Sequence, residues 1–286
     1  MLEITVFTDP MMGLSYESEP FLRRLETHFP KQIRFRFVMG GLVRNVYNWL
    51  DPQELAELGY AEAIRRYNAR LAKIYEAEQP ITGLPISMPK LDLFAPDRPS
   101  SLPLNLAYKA AQQADAEKAD AFLYRLRYAT IVEVRPTNAL AVILDVVRAV
   151  GIDEQAFLHH YQNGTAQQAL EQDFAYRRRL GVQSLPAYLL TLDGKEILLN
   201  GVIDFDGFLR AIQQLSGGKL KPQTPELNEQ TLAALLAKHP LISLIELQHA
   251  FQADEEKVRS AVQPFIARGS VQQMPNPAFV CVCKEC

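Results

Sequence analysis

This chain of 286 residues has no cysteine before position 281, and its three cysteines, Cys281, Cys283 and Cys286, crowd into the end of the sequence. A disulfide framework is therefore excluded as the source of the fold, and stability falls to a buried core. Long apolar runs are also lacking. None approaches the roughly 20 residues that a membrane-spanning helix needs, so no membrane partner is expected. Charge of one sign is scarce too. Thirty Lys and Arg against 33 Asp and Glu leave a net charge of −3. That balance gives no global pull toward nucleic acid or an anionic membrane surface. The opening Met1-Leu2-Glu3-Ile4 enters a strand with no basic and apolar leader, which predicts no secretory signal and a cytoplasmic compartment. What is present is ordinary globular composition, 48% hydrophobic and 22% charged, at a length that fits one large domain or two.

The pattern along the chain sorts into three parts. Residues 2–8 alternate as a strand, 19–28 follow helical spacing, and 32–39 alternate again, with Ile33, Phe35 and Phe37 opposite Arg34 and Arg36. The intervening helix predicts that the two strands are parallel. Helices are predicted over 52–77, 104–114, 117–129, 137–150, 153–162 and 166–180, with a proline-rich ordered loop over 82–103. Strands return at 187–192 and 195–200 around Asp193-Gly194, a type I′ hairpin signal. Asp204 or Asp206 then caps a helix over 208–215. The expected fold class is therefore α/β: residues 1–51 and 179–216 form one domain, split by an all-helical insertion over 52–178. A Gly, Lys and Pro linker over 217–225 precedes a small unit over 226–286. That unit reads as three helices and a β-ribbon, a winged helix-turn-helix, with a capping box at Ser243-Leu244-Ile245-Glu246.

The turn between the first strand and helix runs Thr8-Asp9-Pro10-Met11-Met12-Gly13-Leu14-Ser15-Tyr16-Glu17-Ser18-Glu19-Pro20. This opening resembles that of the cytoplasmic DsbA-like proteins of the thioredoxin fold, the dithiol–disulfide isomerase group. Gly40-Gly41-Leu42, Thr82-Gly83-Leu84-Pro85-Ile86, Pro99-Ser100-Ser101, Ala107-Tyr108-Lys109-Ala110-Ala111 and Gly181-Val182-Gln183-Ser184-Leu185-Pro186 follow in the order that family shows, across residues 2–215. The resemblance implies a thioredoxin sheet with a helical insertion and a disulfide oxidoreductase or isomerase ancestry. It places the family's reactive Cys-x-x-Cys pair at Met12 and Ser15, so the active turn Met12, Gly13, Leu14, Ser15 is expected to be degenerate. A thioether does not ionise and a lone serine has no base, so neither replaces a low-pKa thiolate. A kappa-type glutathione transferase shares the frame, but its serine aligns with Met12 rather than Ser15.

The family's cis-proline aligns with Pro186. The resemblance thus implies a polypeptide-binding groove formed by Met11, Met12, Ser15, Tyr16, Ser184, Leu185 and Pro186, and a peptide or protein partner. A DsbA-like domain followed by a winged helix also resembles the adaptors that deliver the transcription factor Spx to the ClpXP protease. Two other readings stand beside this one. Cys281, Cys283 and Cys286 can supply thiols to the groove, making the protein an oxidoreductase after all, or hold Zn²⁺ or part of an iron–sulfur cluster. The last domain can instead be a DNA-binding regulator. Its third helix, however, balances Asp254, Glu255 and Glu256 against Lys257, Arg259 and Arg268, where a DNA reader presents a net basic face. Protein contact is the expected role, and nucleic acid is not the expected partner.

Overall fold

The computed structural model describes residues 1–282. A four-stranded mixed sheet carries the first part of the chain. Strand β1 (Leu2–Thr8) runs parallel to β2 (Ile33–Met39) and antiparallel to β3 (Ala187–Leu192), and β3 pairs antiparallel with β4 (Lys195–Asn200), giving the order β2-β1-β3-β4. Between β1 and β2 lie a short helix α1 (Gly13–Glu17) and the longer α2 (Glu19–His28). The β3–β4 turn places Asp193 and Gly194 at φ 50° and 77°, the left-handed geometry of the expected hairpin.

One sheet face is apolar along β1 and β3. Leu2, Ile4 and Val6 of β1 and Tyr188, Leu190 and Leu192 of β3 pack against Leu22 and Leu25 of α2, and against Phe208, Ile212 and Leu215 of α9 (Phe205–Ser216). Asp204 caps α9 by accepting from the Gly207 N–H at 2.8 Å. The opposite face carries a smaller cluster of Phe7, Met12, Val38, Val182, Leu185, Ala187 and Leu189.

The insertion holds α3 (Pro52–Glu78), α4 (Leu102–Ala114), α5 (Ala119–Ile131), α6 (Leu140–Ala149), α7 (Glu154–Gln162) and α8 (Thr165–Arg179). Helix α3 breaks at Gly59, whose φ of 75° and ψ of 172° lie outside helical space. Helix α4 starts at Leu102, two residues before the predicted start, because Pro103 fits a first helical turn. Helix α6 starts at Leu140 rather than 137. Thr137 is used instead to tie the preceding loop to α5, its hydroxyl 2.6 Å from that of Thr130.

The last part contains α10 (Glu229–Lys238), β5 (Leu241–Ser243), α11 (Leu244–Phe251), α12 (Glu255–Ala267), β6 (Val271–Gln273) and β7 (Phe279–Val282). Its sheet has three strands in the order β5-β7-β6 rather than a two-stranded ribbon. The sequence hid β5, because Ser243 ends that strand and also caps α11. This unit is docked, not dangling. Helix α11 lies along α2, and Leu241, Phe279 and Cys281 enter the core of the insertion, with the Phe279 ring 4.9 Å from that of Tyr128.

Candidate functional site

The turn after β1 is built around Asp9. Its buried carboxylate accepts from the N–H of Met11 (3.1 Å) and of Leu42 (2.7 Å), from the Ser101 hydroxyl (3.1 Å) and from the Asn105 amide (2.8 Å). One side chain thus fixes the turn, the loop after β2 and the start of α4. Burial pushes the Asp9 carboxyl above its ordinary pKa, against the pull of those donors. The sequence marked Thr8-Asp9-Pro10 as a motif but gave Asp9 no task.

Met12 sits at the N-cap of α1 with extended backbone and no side-chain cap. It shares one buried cluster with Leu185 and Ala187, which flank Pro186, and the Leu185–Pro186 peptide bond is cis. Leu185 in turn lies on Gly40, where a Cβ would come within 2.4 Å of Leu185 Cδ1. The structure therefore brings the turn and the proline segment together through Met12.

Ser15 goes elsewhere. Its Oγ is buried and accepts from the Thr8 hydroxyl at 2.8 Å, and Thr8 in turn accepts from Arg127 Nη2 at 2.6 Å. Arg127, on α5, is also buried, and its other guanidinium nitrogen bonds Glu19. No sequence signal placed Arg127 here. It falls inside a helix that is buried on all sides, where an arginine is rare unless paired.

Met11 and Tyr16 also face inward. The Met11 carbonyl accepts from the Tyr75 hydroxyl, and Tyr16 donates to the Pro85 carbonyl at 3.1 Å. The last turn of α3 lies directly on α1: a Cβ at Gly13 would stand 1.9 Å from Glu78 Oε2 and 2.6 Å from Tyr75 Cδ1. Glu17 of α1 holds the loop after α3 by accepting from the Thr82 N–H (2.8 Å) and hydroxyl (2.6 Å). Burial raises Glu17 to about 7, and burial together with the Glu17 charge raises Glu78 to about 7.

The groove expected at Met11, Met12, Ser15, Tyr16, Ser184, Leu185 and Pro186 is thus corrected in extent. Ser184 is exposed and Leu14 half-buried, whereas the other groove residues are buried. The insertion covers the Met11 and Tyr16 side, and Ser15, buried against Thr8, does not reach the surface to meet a partner. What faces outward is a shallow edge at Gln183 and Ser184, with Leu14 beside it in the same apolar cluster as Met12. Arg177 of α8 secures this edge by donating to the carbonyls of Gly40 (2.7 Å), Val182 (3.0 Å) and Gln183 (2.9 Å).

Cys281 lies on β7 opposite Leu241 of β5, buried in the insertion core rather than in the Met12 cluster. Cys283 and Cys286 lie outside the described residues, and so do the parts of the zinc and iron–sulfur expectations that depend on them. Among the described residues no group of three His, Cys, Asp or Glu side chains has the geometry of a metal site. No helix among them is long and apolar enough to cross a membrane. On α12, Lys257 pairs with Asp254 at 3.0 Å and Arg259 with Glu255 at 2.7 Å, while Arg268 is bound to Glu229 at 2.5 Å.

Comparison with known proteins agrees with this frame. The ClpXP adapter protein SpxH of Shouchella clausii is 23% identical over 277 residues, covering 96% of this chain and 85% of that protein. SpxH of Halalkalibacterium halodurans is 21% identical over 278 residues, covering 96% and 86%. Among solved structures, a protein assigned as a disulfide isomerase from Nitrosomonas europaea superposes with a TM-score of 0.61 at 15% identity, over 76% of this chain and 98% of its own. The cytosolic disulfide reductase DsbM of Pseudomonas aeruginosa gives 0.55 at 20% identity, over 75% and 98%. The thioredoxin family model matches residues 5–213, the span that holds the sheet, the insertion and the cis-proline. With the sheet order, the turn and the proline in place, the chain belongs to the thioredoxin family.

Proposed function

We propose that this protein binds a polypeptide partner in the manner of an adaptor and does not exchange disulfides at its active turn. The observation that carries the reading is Met12 at the helix-leading N-cap, packed with the cis-proline segment, with Ser15 turned inward to Thr8. Exchange needs a thiolate at that helix start, and the turn has no sulfur that ionises. Recognition needs only surface and backbone, and the Gln183–Ser184 edge retains both. The names of the SpxH relatives, ClpXP adapters, support an adaptor role. The C-terminal unit, read as a winged helix, serves protein contact. Its α12 cations are matched by acids of the same domain, which leaves little net charge for a phosphate backbone.

The test has two arms. In an insulin-reduction assay the protein should stay at background, and activity that disappears in a Cys281→Ser/Cys283→Ser/Cys286→Ser variant would overturn the reading. A photo-crosslinker at position 184 should yield discrete polypeptide adducts in cells, with none from the same probe at position 229. Equal labelling from both positions counts against a defined edge.

A further inference from the structure

Arginines gather around Tyr176, next to the proline edge. The Arg36 guanidinium, from β2, and that of Arg179, from α8, each lie 5.1 Å from the centre of the Tyr176 ring. Arg44, from the loop after β2, lies 4.4 Å from the Phe174 ring centre, and burial, with the Arg44 charge second, lowers the pKa of the neighbouring Arg177. Arg36, Arg44, Arg178 and Arg179 are exposed. Among the described residues none of these arginines has a carboxylate within 4.0 Å, whereas most arginines elsewhere are paired, as Arg70 is to Glu54 at 2.7 Å and Arg98 to Asp92 at 3.0 Å, with Arg24 and Arg210 as exceptions. Asp173, which feels the Arg36 charge, is already held by Lys109 at 3.1 Å and by the Met39 N–H at 2.9 Å.

The dipole of α8 favours cations at its last turn. That accounts for Arg178 and Arg179 but not for Arg36 and Arg44, which come from other elements. Like charges this close repel, and a monomer gains nothing by assembling them unmatched. Tyr176 packs at a tilt against Phe7, with ring centres 5.6 Å apart, and Phe7 belongs to the Met12 cluster. The patch is therefore continuous with the edge at Gln183 and Ser184.

We propose that this arginine shelf docks an acidic segment of the protein partner. The inference rests on the protein-binding reading and names the chemistry of the bound chain: carboxylates for the guanidinium forks, with an apolar side chain against Tyr176. A short acidic segment fits better than nucleic acid. The chain as a whole carries −3, which opposes a long polyanion, while the patch acts over about 8 Å at physiological salt.

The experiment titrates the full-length protein against a fluorescein-labelled oligoglutamate peptide by anisotropy. Saturable binding is expected, weakened about tenfold by Arg36→Glu/Arg179→Glu and by added salt. Arg210→Glu, on α9 across the sheet, should leave it unchanged, and thermal melts confirm that both variants fold. Absence of saturable binding overturns the proposal, as does an equal loss in the Arg210 variant. Tighter binding of an oligothymidylate of the same charge overturns it in favour of nucleic acid. If oligoglutamate fails while crosslinking from position 184 persists, the shelf is lost and the protein-binding reading survives. The reverse result removes that reading and leaves an anion surface.

Discussion

Arg23 of α2 and Glu246 of α11 stand 223 positions apart in the chain, yet their side chains meet 3.2 Å apart in the interior. Glu246 is fully buried. It caps its own helix by accepting from the Ser243 N–H at 3.0 Å, and it also accepts from the Tyr124 hydroxyl of α5. One carboxylate thus completes the α11 capping box and joins the C-terminal unit to both the sheet domain and the insertion. Arg23 additionally bonds Glu26 at 2.7 Å.

Removing Arg23 leaves the buried Glu246 without a cation, and removing Glu246 takes from the buried Arg23 one of its carboxylates, with Glu26 and Glu19 remaining. Glu246→Ala should destabilise the protein by about 3 kcal/mol, and Arg23→Ala by a similar amount. The double variant Arg23→Met/Glu246→Leu should lose less than the two single losses added together, since neither charge is then stranded. Urea denaturation of all three variants checks this. Additive losses would mean that the two side chains do not depend on each other.

Gly13 is held by space rather than by backbone angle. Alanine is normally better in a helix than glycine by about 1 kcal/mol. Here a methyl group would meet the Glu78 carboxylate and the Tyr75 ring. Gly13→Ala should therefore destabilise by about 1–3 kcal/mol, measured by the shift in urea midpoint. A stabilised variant would show that α3 does not close down on the turn.

How far the sequence foretold this architecture follows from the range of each interaction. The strand alternation, the Asp193-Gly194 hairpin and the Ser243–Glu246 capping box are local and were legible. The turn's chemistry was legible in what Met12 and Ser15 lack. Its burial was not. The α3 end reaches α1 across more than 60 positions, as in the Tyr75–Met11 bond, and Arg127 reaches Thr8 across 119. Such contacts leave no periodic trace. The arginine shelf was legible only in part: Arg177-Arg178-Arg179 reads as a solvated helix end until β2 brings Arg36 beside it.

The pair Glu17 and Glu78 sets a pH dependence. Both are raised from an ordinary 4.5 to about 7 by burial, Glu78 also by the Glu17 charge. Between those values the folded state binds protons more tightly than the unfolded chain. Their contribution is therefore complete below about 4.5 and is lost as the pH rises through about 7. Glu26, lowered by His239 and Arg23 against its burial, works in the opposite sense, so the total slope is a balance. The informative quantity is the difference from Glu78→Gln, which stays neutral. That variant should raise the denaturation midpoint relative to wild type at pH 8 and close the gap by pH 5. A gap of the same size at both pH values would rule out titration of Glu78 in this range.

Placing a sulfur pair at positions 12 and 15 asks whether the turn has exchange geometry. Positions 12 and 15 are the N-cap and third residue of α1, the spacing of a Cys-x-x-Cys pair at a helix start. Met12 already points into the cluster with Leu185 and Ala187, so a thiol there would stand beside the cis peptide bond, and the helix start would lower its pKa. Ser15 is the harder position. A sulfur at 15 must leave Thr8, whose hydroxyl then loses its acceptor at a cost of about 1 kcal/mol. Met12→Cys/Ser15→Cys should nonetheless form an intramolecular disulfide, detected by thiol titration, and should reduce insulin with dithiothreitol above the wild-type background. Met12→Cys alone should react with a thiol reagent but not turn over. A double variant with both thiols unreactive would show that burial by α3, and not only the loss of cysteine, had closed this turn to exchange.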